Sequence, residues 1–375
     1  MRVGRAITFL IILFIVLAIF SFTASGEESF TAMPEEYGDF IGSLPDDVID
    51  DLPDSVISND PSAVGEGISE MASVDKLLGL LLDGLSGGIR DIFPTLAIAL
   101  GVMLISAVAG QISIGMGHEN LSDFISRICL LCVILGLVYS SIELVSGYFT
   151  NLLGMAAAYL PLSAVLYSIG GNVTTAATSS ASFGICLSVC QFIFTYTTIP
   201  VFVFSLSLAI VSSFYESKIV SSISGAVKKY YTMLLSLTMT VMSVSIGAQT
   251  FISAKADNAA MRGVKFVFGN FVPITGGTIS SSMGAIASGV ELIRGCVGIG
   301  GIVIIFIMLA PLICHLLGMK LFFFLLECIS GITGNGGVIS QISSLYSYLL
   351  GIALISSSVF IISFATLASC ASAIG

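Results

Sequence analysis

The chain has 375 residues, 56% of them hydrophobic and 10% charged, with a formal net charge of −10 and a mean hydropathy of +1.05. An ordinary soluble domain carries about a quarter charged residues, so a water-soluble globular enzyme is excluded. Residues 27–91 hold 16 of the 23 acids beside two bases, Lys76 and Arg90, and the remainder is weakly basic; neither part has the dense basic face that phosphate binding needs, which excludes nucleic acid as a partner.

Residues 1–26 come first. Arg2 and Arg5 precede the apolar run Ala6 to Phe20, and the small residues Ala24, Ser25 and Gly26 follow. This is the order of a secretory signal peptide, with an uncleaved first span as the alternative. In either case the two arginines stay cytoplasmic and the acidic residues 27–90 are extracytoplasmic. Within that region Leu44-Pro45-Asp46-Asp47-Val48-Ile49 recurs as Leu52-Pro53-Asp54-Ser55-Val56-Ile57. Proline at a first helical position, followed by Asp at the positive end of the helix dipole, predicts short helical turns, not a folded domain. Next, Val74, Leu77, Leu78, Leu81, Leu82, Leu85 and Ile89 recur at helical spacing. The resulting amphipathic helix, 74–89, either lies along the membrane surface or packs on the protein's own bundle.

From residue 91 onward, long charge-free stretches dominate. Asp91 and His118 bracket 26 residues, Glu143 and Glu216 bracket 72, and 48 follow Glu327; the pairs Lys229/Lys255, Lys265/Glu291 and Arg294/Lys320 each bracket 25. A bilayer core of about 30 Å needs roughly 20 helical residues. Lipid offers the backbone no hydrogen-bond partner, and the runs are continuously apolar where barrel strands would alternate. The predicted fold class is all-α: a polytopic integral membrane helical bundle with re-entrant or broken segments and a short acidic extracytoplasmic N-terminal region. Residues 91–375 form a transmembrane domain of about six to eight helices by the same length arithmetic.

The six firm spans are Ile92 to Ile112, Ile128 to Tyr148, Cys186 to Ser213, Tyr230 to Ile252, Gly295 to Gly318 and Leu345 to Cys370. They place Arg127, Lys218, Lys228, Lys229 and Lys320 on the cytoplasmic side, as the positive-inside tendency favours. Lys255, Arg262 and Lys265 fall outside in this scheme and oppose that tendency. Three apolar pieces are left over: Leu152 to Ile169 with Pro161, Val264 to Val290 with Pro273 and the run Gly276 to Gly284, and Leu321 to Ile332. Such interrupted pieces either line a cavity or bring helices close through small residues, which makes Asn270, Pro273, Gly276, Gly277 and Gly284 the conduit or packing candidates.

Intramembrane polar groups are costly and therefore candidates for function. Glu143, Glu291, Arg294, His315 and Glu327 qualify. Glu291 and Arg294 are spaced to pair along a helix. Pro311 is placed to kink the helix that bears His315, which Glu327 would approach from a following segment. A proton relay is one reading; snorkelling for Arg294 and a satisfied hydrogen bond for His315 is the other. The eight cysteines lie in or beside spans, none of them in the acidic region. Cys129 and Cys132 have redox-like spacing without the strand and helix context that such chemistry uses. No catalytic pair, metal motif or nucleotide loop is present, so no cofactor, metal or enzymatic activity is expected.

The stretch Lys265-Phe266-Val267-Phe268-Gly269-Asn270-Phe271-Val272-Pro273-Ile274-Thr275-Gly276-Gly277-Thr278-Ile279-Ser280 resembles the signature region of the stage III sporulation protein AE family. The order of signal, acidic Leu-Pro-Asp leader and polytopic body is similar too. The resemblance implies a membrane component of a secretion-like channel, or feeding tube, between mother cell and forespore, located in the mother-cell membrane around the forespore. Implied partners are membrane lipid and the sister products of one operon, including a secretion-type ATPase and ring-forming proteins, with stage II sporulation protein Q met indirectly. It implies no catalytic residue. The alternative from another class is a self-sufficient ion-coupled secondary transporter using Glu143, Glu291, His315 and Glu327.

Overall fold

The computed structural model describes residues 32–73, 75–80, 119–215, 218–271, 276–330 and 336–372, with scattered positions between 82 and 108. Among the described residues there are helices and turns and no strand. The described part of the acidic region up to residue 71 forms the short helices α1 (Glu35–Gly42), α2 (Asp46–Asp50), α3 (Asp54–Ile57) and α4 (Pro61–Met71). The bundle comprises α5 (Glu119–Ile169), α6 (Val173–Ile193), α7 (Ile199–Tyr215), α8 (Lys218–Phe271), α9 (Gly276–Ser330) and α10 (Gly336–Ser372).

In the repeat, Pro45 and Pro53 sit at the N-caps of α2 and α3, one position before the expected first helical residue. Their extended backbone still feeds directly into a helix, and the following Asp side chains still meet the positive end of the dipole. Leu44, Val48, Leu52 and Val56 are all buried, so the eight-residue period places four apolar anchors on one side of two short helices. Tyr37 of α1 donates its hydroxyl to the Val56 carbonyl at 2.8 Å. The Met33 amide closes the segment onto the Asn59 carbonyl at 2.9 Å.

Among the described residues five helical stretches are long and apolar enough to cross a membrane: Ile128–Ile169, Val173–Ser212, Ser222–Ala260, Gly289–Cys328 and Ile339–Ser369. Five of the six expected spans fall inside them to within a residue at either end of the span, and the sixth, Ile92 to Ile112, lies largely outside the described residues, as does the N-terminal signal. The leftover pieces differ from expectation. Leu152 to Ile169 continues α5 without a break at Pro161, and Leu321 onward continues α9 past Pro311 as far as Ser330. In a bundle, neighbouring helices and side chains satisfy the carbonyl that a proline leaves free, so proline is a weaker stop signal here than in water. Gly276 to Gly284 is helical as the first turns of α9, while residues 272–275 lie outside the described set.

Milder interruptions occur elsewhere. A π-turn at Phe194–Thr198 joins α6 to α7. Pro200 follows it and has no N–H to offer the carbonyl four residues back. Thr197 and Thr198 hydroxyls both return to the Ile193 carbonyl, at 2.7 and 3.2 Å, which holds the widened turn. Between α5 and α6 the chain reverses at Gly170-Gly171-Asn172. Gly171 has φ 76°, a left-handed conformation that only glycine adopts cheaply. The Gly171 amide donates to Ser168 at 3.0 Å and the Asn172 amide to Tyr167 at 2.9 Å, the paired bonds of a Schellman helix end.

α9 is the central element. In its most apolar segment, within Gly289–Cys328, 94% is buried, against 22% for α8. α8 instead exposes Leu234, Leu237, Val241, Val244 and Phe251 at helical spacing, a face suited to lipid and too extensive for a soluble monomer. The close crossing of α9 and α10 depends on Gly298 and Gly301. A Cβ at Gly298 would lie 2.8 Å from the Ala368 amide nitrogen and 2.9 Å from the Phe364 carbonyl oxygen, and one at Gly301 would enter the Phe364 ring. Small residues at Gly298 and Gly301 thus let the two helices approach, a cluster nearer the centre of α9 than the Gly276 to Gly284 run, whose surroundings lie outside the described residues.

Candidate functional site

Two polar layers tie the helices together at opposite ends of the charge-free stretches. In the first, Arg294 of α9 is 1% exposed. Its Nε and Nη2 donate to the Leu166 carbonyl at 2.9 and 2.8 Å, and Nη2 also donates to Tyr167 at 3.1 Å. These carbonyls belong to the last turns of α5, where the helix dipole is negative and acceptors are left over. A Cβ at Gly170 would occupy the guanidinium's place. The two adjacent glycines thus do different work: Gly171 makes the turn and Gly170 leaves room for the cation. Glu291, one turn before Arg294, is half-buried and lies within reach of the same charge.

On the same side, Asp257 of α8 caps α6 in trans. Its carboxylate accepts the Thr175 amide at 2.7 Å, the Thr175 hydroxyl at 2.8 Å and the Thr174 amide at 3.3 Å. Those amides are the second and third of the helix, the positions that an N-cap side chain ordinarily serves. Asn172, the residue at the cap, makes no such bond. Sequence reasoning missed Asp257; its signal was being the lone acid among Lys255, Arg262 and Lys265. Below it, Ser253 meets Thr178 at 2.8 Å, and Gln249 accepts from Ser182.

The second layer lies at the other end. Lys228 of α8, buried, donates to Ser344 of α10. Tyr231 bridges the Thr197 and Thr198 hydroxyls at 2.8 Å each. Ser141 of α5 donates to the Leu137 carbonyl at 2.9 Å and stands 3.0 Å from His315 Nε2 and 3.2 Å from the Tyr346 hydroxyl. A serine has one proton and two lone pairs, so with its proton on Leu137 it accepts from both. His315 is thereby a satisfied, half-buried member of a three-helix junction.

The two layers are separated by a bilayer's thickness. Asp257 to Lys228 along α8 is about 43 Å, and Arg294 to His315 along α9 about 31 Å, at 1.5 Å per residue, against a core of about 30 Å and about 40–45 Å with headgroups. Residues 230–254 and 295–314, between them, carry no charged side chain.

The remaining polar candidates do not converge. Glu143 is exposed on α5, two residues and half a turn from buried Ser141. Glu327 is exposed on α9 itself, about 18 Å along the helix from His315 by helical rise, instead of approaching it from a separate segment. Asn270 lies in the last turn of α8, Gly276, Gly277 and Gly284 in the first turns of α9, and their surroundings, like Pro273, are outside the described residues. Cys186 and Cys190 sulfurs lie 4.0 Å apart, with Cys190 3.9 Å from Met239 Sδ, a buried packing contact. Among the described residues no group of His, Cys, Asp or Glu is placed to hold a metal ion.

The short acidic helices complete this surface. Phe40 meets Phe364 of α10 with centroids 6.1 Å apart, and a Cβ at Gly300 of α9 would touch Ile68 Cδ1 of α4 at 2.8 Å. Of the expected amphipathic helix, Leu77 is buried and Gly84 lies against Cys314 of α9, while Leu78 and Leu82 are exposed. The apolar sides of these helices are therefore spent on the bundle, and their acids face out.

Residues 73–373 match the family described as stage III sporulation protein AE. One curated relative, the stage III sporulation protein AE of Bacillus subtilis (strain 168), is 24% identical over 183 residues, 49% of this chain and 46% of the relative; the match thus spans about half of each. No solved structure matches the chain. The match over residues 73–373, most of the chain, makes this chain a member of the stage III sporulation protein AE family.

Proposed function

We propose that this chain is a non-enzymatic, multi-span component of the secretion-like channel complex that links mother cell and forespore during endospore formation. It resides in the mother-cell membrane around the forespore, with the Arg294 and Asp257 layer facing the space between the two membranes. The observation that supports this most is the acidic headpiece. Helices α1 to α4 are anchored by Tyr37, Phe40, Val56 and Ile68, all buried, while Asp39, Asp46, Asp47, Asp50, Asp51 and Asp54 are exposed. A charged surface held firmly on a membrane bundle offers partners an oriented electrostatic target.

The partners in this reading are the sister products of the operon: ring-forming proteins meet the headpiece, and a secretion-type ATPase supplies the energy that this chain has no nucleotide loop to use. Stage II sporulation protein Q is engaged indirectly. Replacing Asp46, Asp47, Asp50, Asp51 and Asp54 with Asn in a spore former tests it. Membrane levels of the protein should stay normal while heat-resistant spores are lost. Normal late forespore expression and normal spores in a deletion strain would reject the whole reading.

A further inference from the structure

Where α8 and α10 part at the Asp257 end, they enclose a groove of about 520 Å³ lined by Gly247, Thr250, Phe251, Lys255, Arg262 and Thr366, among others. The helices are close at its foot, where a Cβ at Gly247 would meet Thr366 Cγ2 at 3.9 Å, and they diverge toward Arg262. Its lining is stratified. Along α8, Gly247, Phe251 and Ala254 belong to the charge-free stretch, and Lys255, Asn258 and Arg262 lie beyond its end. Lys255 and Arg262 are seven residues apart, two turns on one helix face, with Asn258 between them. Both are exposed. The acid of this stretch, Asp257, is turned to the opposite side and engaged with Thr174 and Thr175, so it does not neutralise the rim. Lys255 Nζ rests 4.4 Å from the Phe251 ring centroid, across the boundary between the two strata.

We propose that this groove binds one anionic phospholipid, its phosphate held between Lys255 and Arg262 with Asn258 as a further donor and an acyl chain descending along Phe251 to Gly247. Three features select that occupant. The volume lies within the range of ordinary ligand pockets, about 300–1,000 Å³. The cations stand at the edge of the charge-free slab, the depth of a headgroup, where long basic side chains place their charges. An apolar floor continuous with the lipid-facing stripe of α8 receives a hydrocarbon chain, which a free anion lacks. The inference needs only the membrane embedding of the bundle, not the sporulation role.

The test uses the full chain purified in a nonionic detergent and incorporated in nanodiscs of phosphatidylcholine doped with phosphatidylglycerol, with retained lipid counted by native mass spectrometry. The wild type should keep about one phosphatidylglycerol per chain. Lys255→Gln combined with Arg262→Gln should weaken retention at least about tenfold, the effect of losing one charge-assisted hydrogen bond or more. Lys255→Arg with Arg262→Lys, which preserves charge, should restore it, and Lys229→Gln, which removes one positive charge in the other layer, should leave it unaltered. Retention of phosphatidylcholine as firmly as phosphatidylglycerol, or unchanged retention in the double Gln variant, would overturn the proposal. So would equal stabilisation by inorganic phosphate alone, or a crosslink formed by Asn258→Cys to a second copy, which would make the groove a protein interface.

Discussion

Gly170 and Arg294 should show strong thermodynamic coupling. Replacing Gly170 with Ala puts a methyl group where the Arg294 guanidinium lies. The backbone does not object, because positive φ is confined to the next residue, Gly171. The methyl and the guanidinium cannot share the space, so the fork must leave the Leu166 and Tyr167 carbonyls that it contacts at 2.8 to 3.1 Å. Displacing it costs about 1–3 kcal/mol by overpacking and loss of charged hydrogen bonds. Arg294→Met keeps the stem and deletes the fork. It forfeits the bonds to α5 but also the desolvation cost of a buried cation, which leaves a net loss of about 2–4 kcal/mol.

Once the fork is gone, the methyl has room, and Gly170→Ala should become neutral or slightly favourable through reduced unfolded-state entropy. The double-mutant cycle should therefore give a coupling of at least about 1 kcal/mol, whereas independent sites add within about 0.5 kcal/mol. Thermal denaturation in detergent with a thiol-reactive dye is a suitable assay, because Cys186, Cys190, Cys296 and Cys314 are buried and become reactive on unfolding. Additive losses, or a Gly170→Ala protein as stable as wild type, would show that Arg294 does not occupy that place.

Gly298→Ala should cost about 1–3 kcal/mol because its neighbours are Ala368 and Phe364 backbone atoms that cannot rotate aside, and Gly300→Ala should cost less because it meets the flexible tip of Ile68; equal melting temperatures for the two would refute the ordering. Ser141→Ala should destabilise by about 1–2 kcal/mol through the lost junction with His315 and Tyr346, while exposed Glu143→Gln stays within about 0.5 kcal/mol. Asp257→Ala should cost about 1–2 kcal/mol and accelerate amide exchange at Thr174 and Thr175, with no comparable change at the start of α8. The Asp60 carboxyl is held below the ordinary carboxylate range, first by the Ser62 hydroxyl and then by its amide. Its cap on α4 is fully present above the unfolded-state value and is lost as pH falls through the lower folded value. The protection factor of the Ser62 amide, its exchange relative to the intrinsic rate at each pH, should thus fall in acid for the wild type and not for Asp60→Asn; the same acid response in both would exclude the carboxylate as cause.

The fold was legible where a single helix determines it. Charge-free runs found five of the spans, because lipid and a packed helical core both demand continuous apolar sequence. Proline and glycine misled. Pro161 reads as the mark of an interrupted piece, yet neighbouring helices carry α5 through it, as they carry α9 past the kink candidate Pro311, and the reversal after α5 falls at Gly170-Gly171-Asn172, at the start of a stretch rich in Gly, Thr and Ser. Arg294 reads as an intramembrane polar candidate that could snorkel to the interface; the structure instead buries it on a partner 128 residues earlier on α5, which lies beyond any periodicity argument. His315 reads either as a relay partner of Glu327 or as a satisfied hydrogen bond, and it joins Ser141 and Tyr346. A sequence states which groups need a partner; only the crossing of helices decides which one they obtain.

The enclosure of α9 has a consequence for how the protein comes into being. The acidic headpiece is synthesised first, but its seat at Val297, Gly300 and Ile304 emerges only about 230 residues later, while domains generally fold as units in the order of synthesis. Until then Ile68 lacks its seat at Gly300, and Phe40 its contact with Phe364. Seating of the headpiece is therefore a late event that reports a finished bundle, and proteolytic resistance around residues 33–71 would mark the moment at which a newborn chain becomes fit to meet its partners.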